Sequence, residues 1–310
     1  MALVSGPRIG WIDLPAHLHR EIETIIGDRV MQAHSQIGGF SPGTADRVVT
    51  ATGRRAFVKA ANFALNERTV ELHRQEVAIS ARLPATCPAP RLLGSFDDGD
   101  WIVLVLEDIE GRQPELPWRD DELARALEIL AGLSRDPAPA GLADLPRAPD
   151  GLRHLSESWM PVAADPPADL DPWIKSNLDG LDAIARRGIA ALSGDRLMHR
   201  DVRSDNLLIR PDGRIVLVDW PWATIGAPWF DSVLLLVEVQ MAGGHDVPAR
   251  LRRIASDYGV DLRDLYGVIA ALAGQFLDNA RRPAPVNIPN VRAFQRAQAD
   301  ALIPLLVDQL

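Results

Sequence analysis

The stretch His199-Arg200-Asp201-Val202-Arg203-Ser204-Asp205-Asn206, with Asp219 thirteen residues beyond its last member, decides how the chain is read. Before it, Leu178, Leu181, Ile184, Ile189 and Leu192 recur at helical spacing. After it, residues 206–209 and 215–218 read as strands around the turn Pro211-Asp212-Gly213. Asp219 therefore ends a strand. An Asp, an Asn five residues on and an Asp at a strand end suit one job. The first carboxylate can accept or orient a hydroxyl proton. The Asn oxygen and the second carboxylate are hard ligands suited to Mg²⁺, which keeps substrate phosphates in its shell. The bland alternative is a set of turn and strand-end caps. Four residue types at fixed places, each about 5% abundant or less, should coincide in only about a few chains per thousand.

Working outward, Leu14, Leu18, Ile22, Ile25 and Ile26 mark a helix over 14–26. Gly38-Gly39-Phe40-Ser41-Pro42-Gly43 is a glycine-rich turn. Residues 47–50 and 55–60 flank Thr52-Gly53 as a hairpin. Residues 66–83 form a helix pattern carrying Glu67, Glu71 and Glu76, stopped by Pro84. Strands follow at 91–95 and 101–106. Beyond 107–112 the texture changes to helices. The first is marked by Leu123, Leu127 and Leu130 behind Asp120-Asp121-Glu122, and 231–310 is mainly helical. The expected fold class is α+β, with a β-rich lobe over 1–108 and a larger, mainly helical lobe over 109–310 that would carry the acceptor-binding helices.

Composition narrows the class. The chain has 310 residues, 24% charged and 47% hydrophobic, which fits a folded globular protein. Its net charge of −9 argues against nucleic-acid binding. One cysteine, Cys87, rules out an intrachain disulfide and suits a reducing compartment. Met1 to Gly10 has no basic segment followed by an apolar one, and no apolar run could span a bilayer. The expectation is therefore a cytoplasmic protein with no membrane partner. Only two of the 33 basic residues are lysines, Lys59 and Lys175. In such a background a lysine hints that an amine is needed.

The 199–206 segment followed by Asp219 resembles the catalytic loop and metal-binding Asp of the protein-kinase-like superfamily. The ending Asp219-Trp220 resembles the aminoglycoside phosphotransferase family more than protein kinases. The resemblance covers roughly residues 35–300 and implies a bilobal fold using ATP, with GTP left open, and Mg²⁺. It places Gly38, Gly39, Phe40, Ser41 and Gly43 over the nucleotide phosphates, although the spacing is not G-x-G-x-x-G. It places Lys59, in Phe57-Val58-Lys59, on the α/β-phosphates, with Glu76 as its ion-pair partner and Glu71 as the alternative. Glu107, Asp108 and Ile109 resemble the hinge that binds the base. Asn206 and Asp219 would hold metal and Asp201 would act on the acceptor hydroxyl. Arg203 would clamp the γ-phosphate, or else form a surface ion pair with Asp205. Asp231 would brace the loop, and His199 would hold its turn. Residues 289–296 resemble a closing helix.

The chain also departs from protein kinases. Trp220-Pro221 stands where they carry Phe-Gly, and only eleven residues separate Trp220 from Asp231, too few for an activation segment. A protein acceptor is thereby disfavoured. The resemblance implies a hydroxyl-bearing small molecule, first an antibiotic, with a metabolic or antibiotic-biosynthetic kinase as the alternative. A nucleotide-binding pseudokinase would be expected to lack one of Lys59, Asp201, Asn206 or Asp219, and all four are present. Oligomeric state is not legible. Asp120-Asp121-Glu122, Asp278, Asn279 and the tryptophans 220, 222 and 229 are weaker candidates, better explained by a helix start and by packing.

Overall fold

The computed structural model describes residues 9–36 and 42–309. In chain order the main elements are α1 (Ala16–Ile26), β1 (Val30–Ser35), β2 (Thr44–Thr50), β3 (Arg55–Asn62), α2 (Glu67–Ser80), β4 (Leu92–Asp97), β5 (Trp101–Glu107) and α3 (Asp120–Leu133). Four short helices follow: α4 (Ala148–Gly151), α5 (Arg153–Ser156), α6 (Trp159–Ala164) and α7 (Pro172–Ser176). Then come α8 (Leu178–Ala190), β6 (Arg196–Met198), β7 (Leu207–Ile209), β8 (Ile215–Leu217), β9 (Thr224–Gly226), α9 (Phe230–Ala242), α10 (Val247–Tyr258), α11 (Leu262–Ala280) and α12 (Val291–Leu306).

The chain divides into two compact units, and neither is a continuous stretch. One comprises Met1–Gln113, Asp205–Trp222 and Ala284–Asn290; the other comprises Pro114–Ser204, Ala223–Pro283 and Val291–Leu310.

The first unit is built on an antiparallel sheet of order β1-β2-β3-β5-β4. Strand alternation decides its two faces. Ala56, Val58 and Ala60 of β3 and Val103 and Val105 of β5 point to one side, where Leu14, Leu18 and Ile22 cover them. Fully burying side chains such as Leu18 and Ile22 contributes roughly 1.5–3 kcal/mol each. Gly27 ends α1 in the left-handed region, φ 76°. The opposite face buries Ala61, Ile102, Leu104 and Leu106 with Val70 of α2. Lys59 shares the parity of Phe57 and Ala61 and so faces α2. Helix α2 starts where the Asn66 side chain accepts the Thr69 N–H.

Two further segments complete this unit. The β7–β8 hairpin is tied on by Leu217 N–H donating to Pro88 O at 2.7 Å and by paired bonds between Arg112 and Ile209 at 2.7 and 3.0 Å. Residues 284–290 are held by the Asn66 side chain donating to Val286 O and the Asn287 side chain donating to Leu65 O.

The second unit centres on α11, which is buried over most of its length from Leu265 to Gly274. Its packing on α8 is close. A Cβ added at Gly188 would stand 2.2 Å from the Gly267 carbonyl carbon, so glycine is required there. Strands β6 and β9 pair antiparallel in the same unit.

The sequence expectations of helices and hairpins correspond to α1, α2, α3, α8, β2–β3, β4–β5 and β7–β8. Three strands were not anticipated. β1 is an edge strand with no fully buried residue, so no apolar alternation marks it, and β6 and β9 are three residues long. Among the described residues, no helix is long and apolar enough to cross a membrane.

Candidate active site

A cleft of about 180 Å³ lies within the first unit. Lys59, Glu76, Glu107, Asp108, Ile109, Asn206 and Asp219, all expected from the sequence, line it.

At its polar end Lys59 Nζ donates to both Glu76 carboxylate oxygens at 2.8 Å. It also donates to Asp219 Oδ1 at 2.6 Å. The Glu76 side chain is 2% exposed and that of Asp219 is 40% exposed. Burial pulls the Lys59 amine down, but the Asp219 and Glu76 charges and their hydrogen bonds outweigh it and hold the amine above its ordinary range. For Glu76, burial pushes the carboxyl upward and the Lys59 charge opposes it. Glu71, the alternative partner, is paired with Arg68 at 2.7 Å on the exposed side of α2.

Asp219 sits with φ 71°, in the left-handed region, although it is not glycine. Such strain persists where surroundings over-determine it and gathers at functional sites. Asn206 is buried, and its carbonyl accepts the Val218 N–H at 3.0 Å. An amide oxygen and a carboxylate lining one cleft are hard donors that suit Mg²⁺ completed by phosphate oxygens. Among the described residues, no cluster of three or more His, Cys, Asp or Glu could hold a metal unaided.

The apolar end carries Ala45, Phe57, Leu106, Leu208 and Val218. At the expected hinge, several polar groups are already in use. Glu107 N–H donates to Arg91 O at 2.8 Å. Arg47 donates to Ile109 O at 3.1 Å. The Asp108 carboxylate, only 2% exposed, is flanked by Arg47 at 3.3 Å and Arg55 at 2.7 Å. Sequence reasoning did not single out Arg47, Leu208 or Gln113 as lining residues. Period-two spacing does place Arg47 on the face of Ala45, but only the sheet register shows which face meets the cleft.

Gly43, at φ 132°, is required on steric grounds too, since a Cβ there would meet Ala60 O at 2.4 Å. Gly38, Gly39, Phe40 and Ser41, the rest of the expected phosphate loop, lie outside the described residues.

Asp201 and Arg203 belong to the second unit. Arg203 donates to Asp201 Oδ1 at 2.6 Å and so forms an ion pair with it. His199 is fully buried, and its Nδ1 accepts the Asp201 N–H at 3.2 Å. Arg200 has φ 68°. Its N–H and that of His199 donate to the two Asp231 carboxylate oxygens at 2.9 and 2.7 Å. Burial pushes Asp231 upward, and His199 and Arg200 oppose it.

The weaker candidates are accounted for locally. Asp121 pairs with Arg119 and Arg125, and Glu122 is buried where it accepts the Glu115 N–H. Asp278 is paired by both Arg281 and Arg282. Trp220 and Trp229 are buried, and the Trp222 ring lies 5.2 Å below the Arg68 guanidinium. Burial pushes the Cys87 thiol up to about 12.

A sheet-bound lysine paired to a helical glutamate and to a strand-end aspartate, with a helical second unit, defines a kinase-like α+β architecture. The family model described as "Phosphotransferase enzyme family" (APH) matches residues 37–272. The chain belongs to that family and is a small-molecule phosphotransferase. No curated protein matches it by sequence at a significant level. Solved structures share its fold. An aminoglycoside phosphotransferase from Alicyclobacillus acidocaldarius aligns with TM-score 0.56 and 17% identity over 96% of this chain and 97% of that one. A thermostable mutant of aminoglycoside phosphotransferase APH(4)-Ia, in ternary complex with ADP and hygromycin B, aligns with TM-score 0.61 and 15% identity over 93% and 98%. Choline kinase LicA from Streptococcus pneumoniae aligns with TM-score 0.61 and 15% identity, also over 93% and 98%. Identities this low establish the fold.

Proposed function

We propose that the protein is an ATP- and Mg²⁺-dependent O-phosphotransferase whose acceptor is a hydroxyl of a small antibiotic, so that its role is resistance by inactivation. The observation that carries the reading is the single ammonium of Lys59 held by Glu76 and Asp219 in a cleft that Asn206 also lines. In this reading Lys59 binds the α/β-phosphates, and Glu76 keeps its amine charged and aimed. The apolar surfaces of Phe57, Leu106 and Leu208 enclose the base. Asn206 and Asp219 would hold Mg²⁺, which supplies charge neutralisation on the phosphates when bound. Asp201 orients the acceptor hydroxyl and takes its proton. Arg203, beside that carboxylate, would clamp a phosphate oxygen. Catalysis then rests on positioning and electrostatic stabilisation.

The antibiotic reading is supported by family membership and by a fold shared with aminoglycoside phosphotransferases. The test is a growth-inhibition panel in a susceptible bacterium expressing wild type or Asp201→Asn. Aminoglycoside, cyclic-peptide, macrolide and nucleoside antibiotics are the challenges. Resistance to one class, lost in the variant, is expected. Sensitivity to every class, with Mg·ATP still raising the melting temperature, would overturn the antibiotic acceptor in favour of a metabolic or biosynthetic one.

A further inference from the structure

Asp231 is not the only carboxylate that α9 directs at the catalytic loop. Glu238 lies seven residues further along the helix. Two turns of α-helix return a side chain to nearly the same face, about 10 Å along the axis. Glu238 Oε2 accepts the Ser204 N–H at 2.8 Å, and Oε1 accepts the Ser204 hydroxyl at 2.7 Å. The Trp118 indole N–H donates to Oε2 at 3.3 Å. Ser204 and Trp118 are both buried. Each end of the loop is thus anchored on one helix: His199 and Arg200 on Asp231, Ser204 on Glu238. Asp201 and Arg203 stand between the anchors. Arg200, at φ 68°, supplies a bend that would relax unless both ends were held.

We infer that Glu238 is a positioning residue for the phosphotransfer step, a second brace that acts through Ser204 to fix Asp201 and Arg203 between two points on α9. A single anchor leaves the loop free to pivot about it; two anchors remove that freedom. A buried backbone N–H left without an acceptor is costly, so the carboxylate matters most to the main chain of Ser204.

This inference rests on the reading of 199–206 as the phosphotransfer loop, and the test separates the two. Hydrogen exchange of the loop amides is compared in wild type, Glu238→Ala and Glu238→Gln. ADP release from Mg·ATP, with water as acceptor, is measured on the same samples. In Glu238→Ala, loop amides should exchange about 10- to 100-fold faster with α9 still protected, consistent with loss of one charge-assisted bond. ADP release should fall about tenfold with the KM for ATP within twofold. Glu238→Gln keeps an amide oxygen for Ser204 N–H and should recover to within about threefold. Unchanged loop exchange, a Gln variant no better than Ala, or a loss confined to the KM for ATP would each overturn the brace. If Glu238→Ala does not fold, Glu238→Asp decides it, since a side chain one methylene shorter falls short of both Ser204 donors and should speed loop exchange without altering α9; unchanged exchange there would overturn the brace. Failure of the wild type to bind Mg·ATP would instead overturn the nucleotide reading, and loop exchange would still judge the brace.

Discussion

Lys59 Nζ and Asp219 Oδ1 meet at 2.6 Å across 160 residues of sequence. The same nitrogen grips both oxygens of Glu76. One cation therefore serves two carboxylates. With both carboxylates ionised the cluster carries a net negative charge, a setting that favours a bound cation over bare phosphate. Replacing Lys59 with Met strands a glutamate that is 2% exposed. Removing one partner of a buried pair costs about 3–5 kcal/mol. Lys59→Met should therefore melt earlier and show no stabilisation by Mg·ATP. Lys59→Arg should not restore binding, because a planar fork cannot reproduce a compact ammonium between two carboxylates. Thermal melts with and without Mg·ATP check both.

Asp201→Asn keeps the shape of the side chain and removes the proton acceptor. Turnover should fall by about 10²–10⁴. Melting temperature and the shift caused by Mg·ATP should stay close to wild type, because the cleft proposed for the nucleotide is lined by other residues. Retained turnover would remove Asp201 from the mechanism.

Asp231 takes two main-chain N–H bonds while buried. Asp231→Ala strands both donors. At about 1–3 kcal/mol for each, the loss should be roughly 2–6 kcal/mol, seen as a lower denaturation midpoint. Asp231→Asn keeps one acceptor oxygen and should lie between the two.

Gly43→Ala sets a Cβ 2.4 Å from Ala60 O at a φ of 132°. The start of β2 must shift away from β3, and Thr44↔Ala60 is the pair that breaks first. Weaker binding of Mg·ATP than in wild type is expected, read by titration. Unchanged affinity would show that the phosphate loop tolerates the shift.

Arg74 grips Asp97 with two bonds, at 2.7 and 2.9 Å, joining α2 to the end of β4. The Arg74 hydrogen bond holds the Asp97 carboxyl below its ordinary value near 3.8. A depressed carboxylate stabilises the fold above the unfolded value, and that contribution disappears as pH falls through the folded one. Wild type should therefore lose stability below about pH 4 more steeply than Asp97→Asn. The difference should be small, since the pair is largely exposed to solvent. Melts between pH 3 and 6 measure it.

Local pattern made much of this legible. Helix α1 shows in its apolar spacing and β2–β3 in Thr52-Gly53. The loop shows in residues whose types are dictated by chemistry. Strands of three residues, such as β6 and β9, have no period to detect. Glu238 gives no signal either. It sits among Val233, Leu235, Leu236, Val237 and Val239 of a buried helix, and only its contact with Ser204 gives it a purpose.

The sequence by itself determined the family-like order of chemical groups: Lys59, Glu76, Asp201, Asn206 and Asp219, each on a recognisable element. Types and spacings along a chain are local properties, and local chemistry can be read one segment at a time. Only the tertiary structure decided that Glu76, not Glu71, meets Lys59, that Arg203 pairs with Asp201, and that Arg47 meets Asp108 and Ile109. Those choices follow from sheet register and helix rotation. A one-residue slip would turn every side chain of a strand to the opposite face, and register is set by packing between elements far apart in sequence.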